Sequence, residues 1–419
     1  MLTPLRNART DTCGGKAAAL AALLRAGLPV PDGFVVPFTA HRTAQEDAGF
    51  SVPEALQEAL TRHLAELGDP PVAVRSSAAD EDTAGASGAG QYESVLAVHG
   101  ARAVAAAIRT CWESSSSPRA TGYRNHLDAD TEDADTEKGE PQMAVLVQRL
   151  IEAEVSGVMF TPARPEDGTR IESSWGLGPS VVGGTVTPDT YQVAADGNIR
   201  RTIARKTTRL DRHRDGDGVT VQAVPERLQT LSTLDDATVT SLAALGLRIA
   251  ALLGRPQDIE WAIAEGQAWI LQARPITASL PALPTGPAVV EGARLSGAPG
   301  ARGIATGVAR VLHSPSEFPR VHPGDIVICR YTDPAWTPLF RIAAAVVTET
   351  GGVLCHAAIV AREHGIPAVL GVPQATAQIP DGTRITVNGS EGTVTATEPT
   401  PTTHSPERSQ SEGARRSSS

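Results

Sequence analysis

The chain has 419 residues, 41% of them hydrophobic and 20% charged, which is apolar material enough for the cores of two or three domains. Aromatics supply only 4%, so Leu, Val, Ile and Ala must fill those cores. A formal net charge of −10 excludes the broadly basic surface that non-specific nucleic-acid or anionic-membrane binding needs, so neither partner is expected and any phosphate site is local.

The opening MLTPLRNARTDTCGG lacks the apolar core of a signal peptide, and no run approaches the roughly 20 apolar residues that span a bilayer. Cys13, Cys111, Cys329 and Cys355 have neither zinc-ligand spacing nor the pattern of a disulfide framework. Reduced thiols and a cytoplasmic location are the expectation.

In chain order, GGKAAALAALLRAG (residues 14–27) predicts a helix opened by glycines, followed by PVPDGFVV, a turn leading into a strand. Lys16 falls in the first turn, where free backbone N–H groups and the helix dipole favour an anion; taken alone, it reads more readily as a solvated lysine. VAVRSSAADEDTAGASGAGQYES (residues 72–94) is an apolar strand that runs into Arg75 and then into a loop of Gly, Ala and Ser. Small residues let such a loop wrap its backbone donors around phosphate oxygens. DADTEDADTEKGEPQ (residues 128–142) is acidic, almost without large apolar residues, and reads as a solvated insertion.

PQDIEWAIAEGQAWILQARPIT (residues 256–277) carries two alternating runs around Glu265 and Gly266, the pattern of an antiparallel hairpin. If Ile259, Trp261 and Ile263 share one buried face with Trp269, Leu271 and Ala273, the turn holds three residues and Glu260 stands opposite Gln272. Asp258, Glu260, Gln272 and Arg274 then share the other face. A carboxylate, an amide oxygen and a guanidinium on one sheet face suit a hard divalent cation beside a polyphosphate, although an ordinary solvated face has the same composition.

Residues 278–292, ASLPALPTGPAVVEG, read as a semi-extended linker, and residues 398–419 as a polar, disordered tail. Between them, in TETGGVLCHAAIVAREHGIPAVLG (residues 348–371), a strand ends at Thr348 and Gly351–Gly352 turn the chain. His356 then opens a helix that Gly365 closes. A phosphoryl group on that imidazole would sit at the positive end of the helix dipole, with the glycines leaving it room. His364 has no such setting and serves as the internal contrast.

These segments, together with MAVLVQRLIEAEVSGVMF and GLGPSVVGGTVTPDTY, resemble in order and wording the superfamily of phosphoenolpyruvate synthase, pyruvate phosphate dikinase and rifampin phosphotransferase. The resemblance covers residues 10–395 apart from the acidic insertion. It implies an α/β (α+β) chain: an ATP-grasp-like nucleotide-binding domain over residues 1–277, then a small swivelling β/α phosphohistidine domain over residues 293–397. It further implies ATP and Mg²⁺ as cofactors and a dikinase reaction, in which a histidine takes the β-phosphoryl of ATP and delivers it to an acceptor, with AMP and phosphate released. Residue by residue, Lys16, Arg75 and Arg274 would bind phosphates, Glu260 and Gln272 would hold Mg²⁺, and Gln148 would line the nucleotide pocket. His356, with Arg75 and Arg274 as its catalytic partners, would carry the phosphoryl group.

Three features depart from the pattern. GASGAGQ has Gly88 where relatives carry an aromatic over the nucleotide, which leaves that lid looser. Cys355 is similar to the synthases' TCH form and reads as structural, and Asn388 replaces the usual aspartate of a VDG turn. After the histidine module the sequence runs into its polar tail, where the synthases continue into a barrel. The expectation is therefore a compact two-domain phosphotransferase acting on a small-molecule acceptor such as a specialised metabolite. The alternatives are a phosphocarrier that donates to a separate acceptor-domain protein, and a non-catalytic ATP-binding regulator.

Overall fold

The computed structural model describes residues 2–46, 50, 52–79, 92–117, 142–277, 280 and 295–396. Gly88, nearly all of the acidic insertion, most of the 278–292 linker and the tail lie outside the described residues.

β1 (Thr3–Pro4), β2 (Gly33–Val36), β3 (Val72–Ala78), β4 (Ser94–Val98) and β5 (Met143–Arg149) form an antiparallel sheet in the order β1-β2-β5-β3-β4. β3 and β5 are buried nearly throughout because both faces of the sheet are covered. Helices Phe38–Glu46, Glu54–Glu66 and Ala101–Ser114 cover one face, around Phe34, Val74, Val147 and Trp112. Helix Thr10–Arg25 covers the other face.

That helix begins at Thr10 and not at Gly14 as expected, because Gly14 is a kink (φ 79°) joining a short turn to the main helix. A Cβ at Gly14 would lie 2.4 Å from the Ser77 carbonyl oxygen, so β3 can approach only a glycine here. Ser77 then spans the kink, donating to the Cys13 carbonyl (2.7 Å) and accepting from the Ala17 N–H (3.3 Å). Lys16 falls in the first turn after the kink, partly buried.

β6 (Val155–Phe160), β7 (Thr169–Trp175), β8 (Asp189–Val193) and β9 (Ile199–Thr202) join a second antiparallel sheet. The β10 (Thr208–Arg212) and β11 (Val219–Ala223) hairpin stands apart, and β12 (Gln257–Ala264) and β13 (Gln267–Pro275) complete the order β13-β12-β6-β7-β8-β9. Helix Asp236–Leu253 starts on an Asp235 carboxylate that accepts from the Thr238 N–H (2.7 Å) and ends at left-handed Gly254. Contrary to the expectation from sequence, this one helix is long and apolar enough to cross a membrane. In the fold it lies on the second sheet, with Val239, Leu242, Ala243 and Ile249 packed against Met159, Ile171, Ile259 and Trp261.

The C-terminal part is a separate sheet of β14 (Leu295–Ser296), β15 (Ala298–Ala301), β16 (Ile304–Leu312), β17 (Ile326–Cys329), β18 (Ala345–Thr348), β19 (Ala368–Leu370), β20 (Arg384–Asn388) and β21 (Thr393–Ala396). Its order is β14-β21-β20-β16-β17-β18-β19-β15, with β16 to β19 parallel. Helix His356–Glu363 covers one face and Gly365 (φ 66°) ends it before β19. Asn388 keeps its turn closed, accepting from the Ser390 and Glu391 N–H groups (both 3.1 Å), as an aspartate could.

Candidate phosphoryl-transfer site

The turn of the β12–β13 hairpin holds two residues, Glu265 (φ 52°) and Gly266 (φ 71°), where three were expected. Such a turn pairs Ala264 with Gln267 and Trp261 with Ile270, a register that on its own would set Glu260 opposite Leu271. A β-bulge between Glu260 and Trp261 absorbs Leu271, so Glu260 faces Gln272 and Asp258 faces Arg274 after all. The core face is accordingly Ile259, Trp261, Ile270 and Ala273. Trp269 and Leu271 are only partly buried, and Leu271 packs with Ala262 on the opposite side.

The pairing continues across the sheet. Val158 stands opposite both Glu260 and Glu172, and Phe160 opposite both Asp258 and Arg170. One face therefore carries two cross-strand rows, Gln272-Glu260-Val158-Glu172 and Arg274-Asp258-Phe160-Arg170. Two strand spacings separate Glu260 from Glu172, about 10 Å along the row.

Arg75, Glu260 and Gln272 line a cleft of about 680 Å³, which Asp333, Pro334 and Ala335 enter from the C-terminal part. Arg75 approaches the Glu260 carboxylate at 3.6 Å and the Leu271 carbonyl at 3.4 Å. Gln148 is buried, its amide donating to the Pro31 carbonyl (3.1 Å), and with Arg75 and Glu260 it lines a smaller adjoining recess. Arg274 is bound through Nε and the terminal nitrogen to Asp258, both at 2.8 Å, so any phosphate it meets meets an ion pair already formed. Glu260 and Gln272 offer two oxygen donors, and among the described residues no cluster of three or more His, Cys, Asp or Glu side chains could cage a metal by itself. That donor set fits a hard cation whose remaining positions are filled by phosphate oxygens and water.

His356 opens its helix as expected, but it is 4% exposed, and its neighbours Leu354 and Ile359 pack in the seam between the second sheet and the C-terminal part. An apolar cluster crosses the seam: Val158, Phe160, Val181 and Val186 meet Val353, Leu354 and Ile359. Thr350 donates through its hydroxyl to the Gly184 carbonyl (2.7 Å), Gly351 N–H to the Val186 carbonyl (3.1 Å), and Thr277 to the Glu363 carboxylate (3.0 Å). Cys355 is fully buried and its thiol is pushed up to about 11 by that burial, so it stays protonated and packs as a small apolar group.

Sequence reasoning missed Glu172. Its carboxylate, 1% exposed, accepts from the N–H groups of Val353 (2.7 Å) and Leu354 (3.1 Å), directly ahead of His356. Burial pushes the Glu172 carboxyl up to about 7, against the lowering effect of those two donors and of Arg170 and Arg362. Arg362, from the His356 helix, donates to the Gly300 and Val353 carbonyls (both 2.8 Å) and is lowered to about 10 by burial. The available signal was TRIESSW, in which Arg170 and Glu172 alternate along a strand that is otherwise small or apolar.

Residues 48–283 match the AMP/ATP-binding domain of pyruvate phosphate dikinase, and residues 321–392 match the mobile domain of PEP-utilising enzymes. The chain belongs to the pyruvate phosphate dikinase family. The first match takes in β3 to β13, and the second takes in β17 to β20 with His356. A probable phosphoenolpyruvate synthase of Methanothermobacter thermautotrophicus is 36% identical over 407 residues, which cover 87% of this chain and 58% of that protein. The phosphoenolpyruvate synthase of Escherichia coli K12 is 36% identical over 357 residues, covering 79% and 44%. The chain thus spans about half the length of these pyruvate phosphate dikinase family relatives. Among solved structures, phosphoribosylglycinamide synthetase from Anaerococcus prevotii overlaps 61% of this chain and 41% of its own at 9% identity and a TM-score of 0.22, too low to carry an argument.

Proposed function

We propose that the chain is an ATP-dependent, dikinase-type phosphotransferase with His356 as its phosphoryl carrier. The observation that carries this reading is placement: the His356 loop rests on the same sheet face, and on the same cross-strand row, as Glu260 and Gln272. An imidazole nitrogen of His356 attacks the β-phosphorus of ATP, and the bond to the α,β-bridging oxygen breaks, so AMP departs with that electron pair. Water then cleaves the β,γ linkage, releasing inorganic phosphate and leaving one phosphoryl group on the histidine. Arg75, Arg274 and Lys16 offset charge on the non-bridging oxygens, and Gln148 borders the nucleotide. Glu260 and Gln272 would hold Mg²⁺, which when bound supplies further charge neutralisation at the phosphates.

The phosphoryl group then passes to a small-molecule acceptor. The relatives are named for phosphoenolpyruvate synthesis, so pyruvate is the first acceptor to try and a specialised-metabolite hydroxyl the second. Four free, buried thiols suit a reducing cytoplasm. In a single turnover with ATP and Mg²⁺, the protein should release AMP and phosphate in equal amounts, about one per chain, and His356→Ala should release neither. ADP as the only product would mean that an ordinary γ-phosphoryl transfer or hydrolysis is at work.

A further inference from the structure

We propose that Glu172 is a positioning residue that registers the His356 loop against the nucleotide-binding sheet, and so governs how fast His356 is phosphorylated. The inference deepens the function proposed above and rests on it. Both hydrogen bonds that the Glu172 carboxylate accepts cross the seam, from Val353 and Leu354, 181 and 182 residues further along the chain. When the seam opens, these bonds are lost and the carboxylate faces water, so the contact belongs to the docked arrangement alone. The two N–H groups lie in the turn just ahead of the helix, and their capture holds that turn against Glu172, which stands about 10 Å along the row from Glu260.

Gly352 shows how closely the two sides fit. A Cβ there would lie 2.2 to 2.5 Å from the Glu172 carboxylate atoms, and the position carries no left-handed φ, so close approach is what demands glycine. Arg362 reinforces the clasp from the mobile side by tying the Val353 carbonyl to its own helix. On the sheet side Arg170, the next polar residue on the same face of β7, adds positive charge to the carboxylate's surroundings.

The fit yields a test that separates positioning from mere structure. The rate of β-³²P incorporation from ATP is measured on the full chain for wild type, Glu172→Ala, Gly352→Ala and the double variant, with ATP affinity and melting temperature recorded for each. Glu172→Gln is added as a variant of equal volume that keeps one acceptor and turns an amide N–H toward the second donor. Each single substitution should slow labelling by on the order of tenfold, with ATP affinity unchanged. The Gly352→Ala penalty should largely vanish in the Glu172→Ala background, because the space that the added methyl needs has been vacated. Labelling at the wild-type rate in the folded single variants, or penalties that multiply independently, overturns the proposal while leaving the carrier role of His356 intact. A wild type that takes no label at all overturns instead the reading of His356 on which the proposal stands.

Discussion

Glu172 is the residue at which burial and chemistry conflict most. A carboxyl raised to about 7 in the docked arrangement and back in its ordinary range near 4.5 when exposed binds its proton more tightly when docked. Its contribution to docking is therefore fully present below about pH 4.5 and is lost as pH rises through about 7. Arg170 and Arg362 oppose this shift, and the neighbouring Cys355 stays a neutral thiol throughout the range. Amide exchange at Val353 and Leu354, followed from pH 5 to 8 and corrected for intrinsic rates, should show protection falling as pH rises in wild type and a flat profile in Glu172→Gln. A flat wild-type profile would mean that the carboxylate stays ionised in the seam. His356 and Glu260 could be read from sequence because their signals are local: a glycine pair before a helix, and alternation in a hairpin. Glu172 could not, since what distinguishes it is a pair of backbone donors from another part of the chain.

At the scale of elements, the hairpin shows how a polar face can be legible while its construction is not. Alternation alone supports a three-residue turn, because Leu271 reads as one more apolar step. The structure uses a two-residue turn with left-handed backbone at both positions and restores the pairing with a bulge. Asn is far better suited than Glu to the first left-handed position of such a turn. Glu265→Asn should therefore raise stability by about 0.5 to 1 kcal/mol in denaturant titration, without altering ATP affinity. The bond from the Glu265 backbone N–H to the Glu154 carboxylate (3.0 Å) is kept in the variant, so a loss of stability would show that the turn's backbone preference does not govern this corner. The helix at Gly14 teaches the same lesson: its glycines are visible in sequence, but the kink arises from Ser77 on a strand 60 residues away.

Across the whole molecule, the order of the modules is written in local motifs, and the matches to residues 48–283 and 321–392 follow that order. How the modules meet is set by contacts such as Thr350 to Gly184 and Glu172 to Val353, which no run of sequence displays. The seam is of mixed character, an apolar cluster edged by hydrogen bonds, as would suit two bodies that part in the proposed transfer. His356 is 4% exposed, so on the proposed carrier role phosphorylation and delivery to an acceptor would need two different arrangements of the same chain. The measurement that tests this account most directly is incubation of the protein with Mg²⁺ and β-³²P-ATP, in parallel with γ-³²P-ATP, for wild type and His356→Ala. The account predicts β-label on the wild-type protein alone, labile to acid and absent from the variant; γ-label that stays on the protein after phosphate has been released, or β-label that survives in His356→Ala, would contradict it.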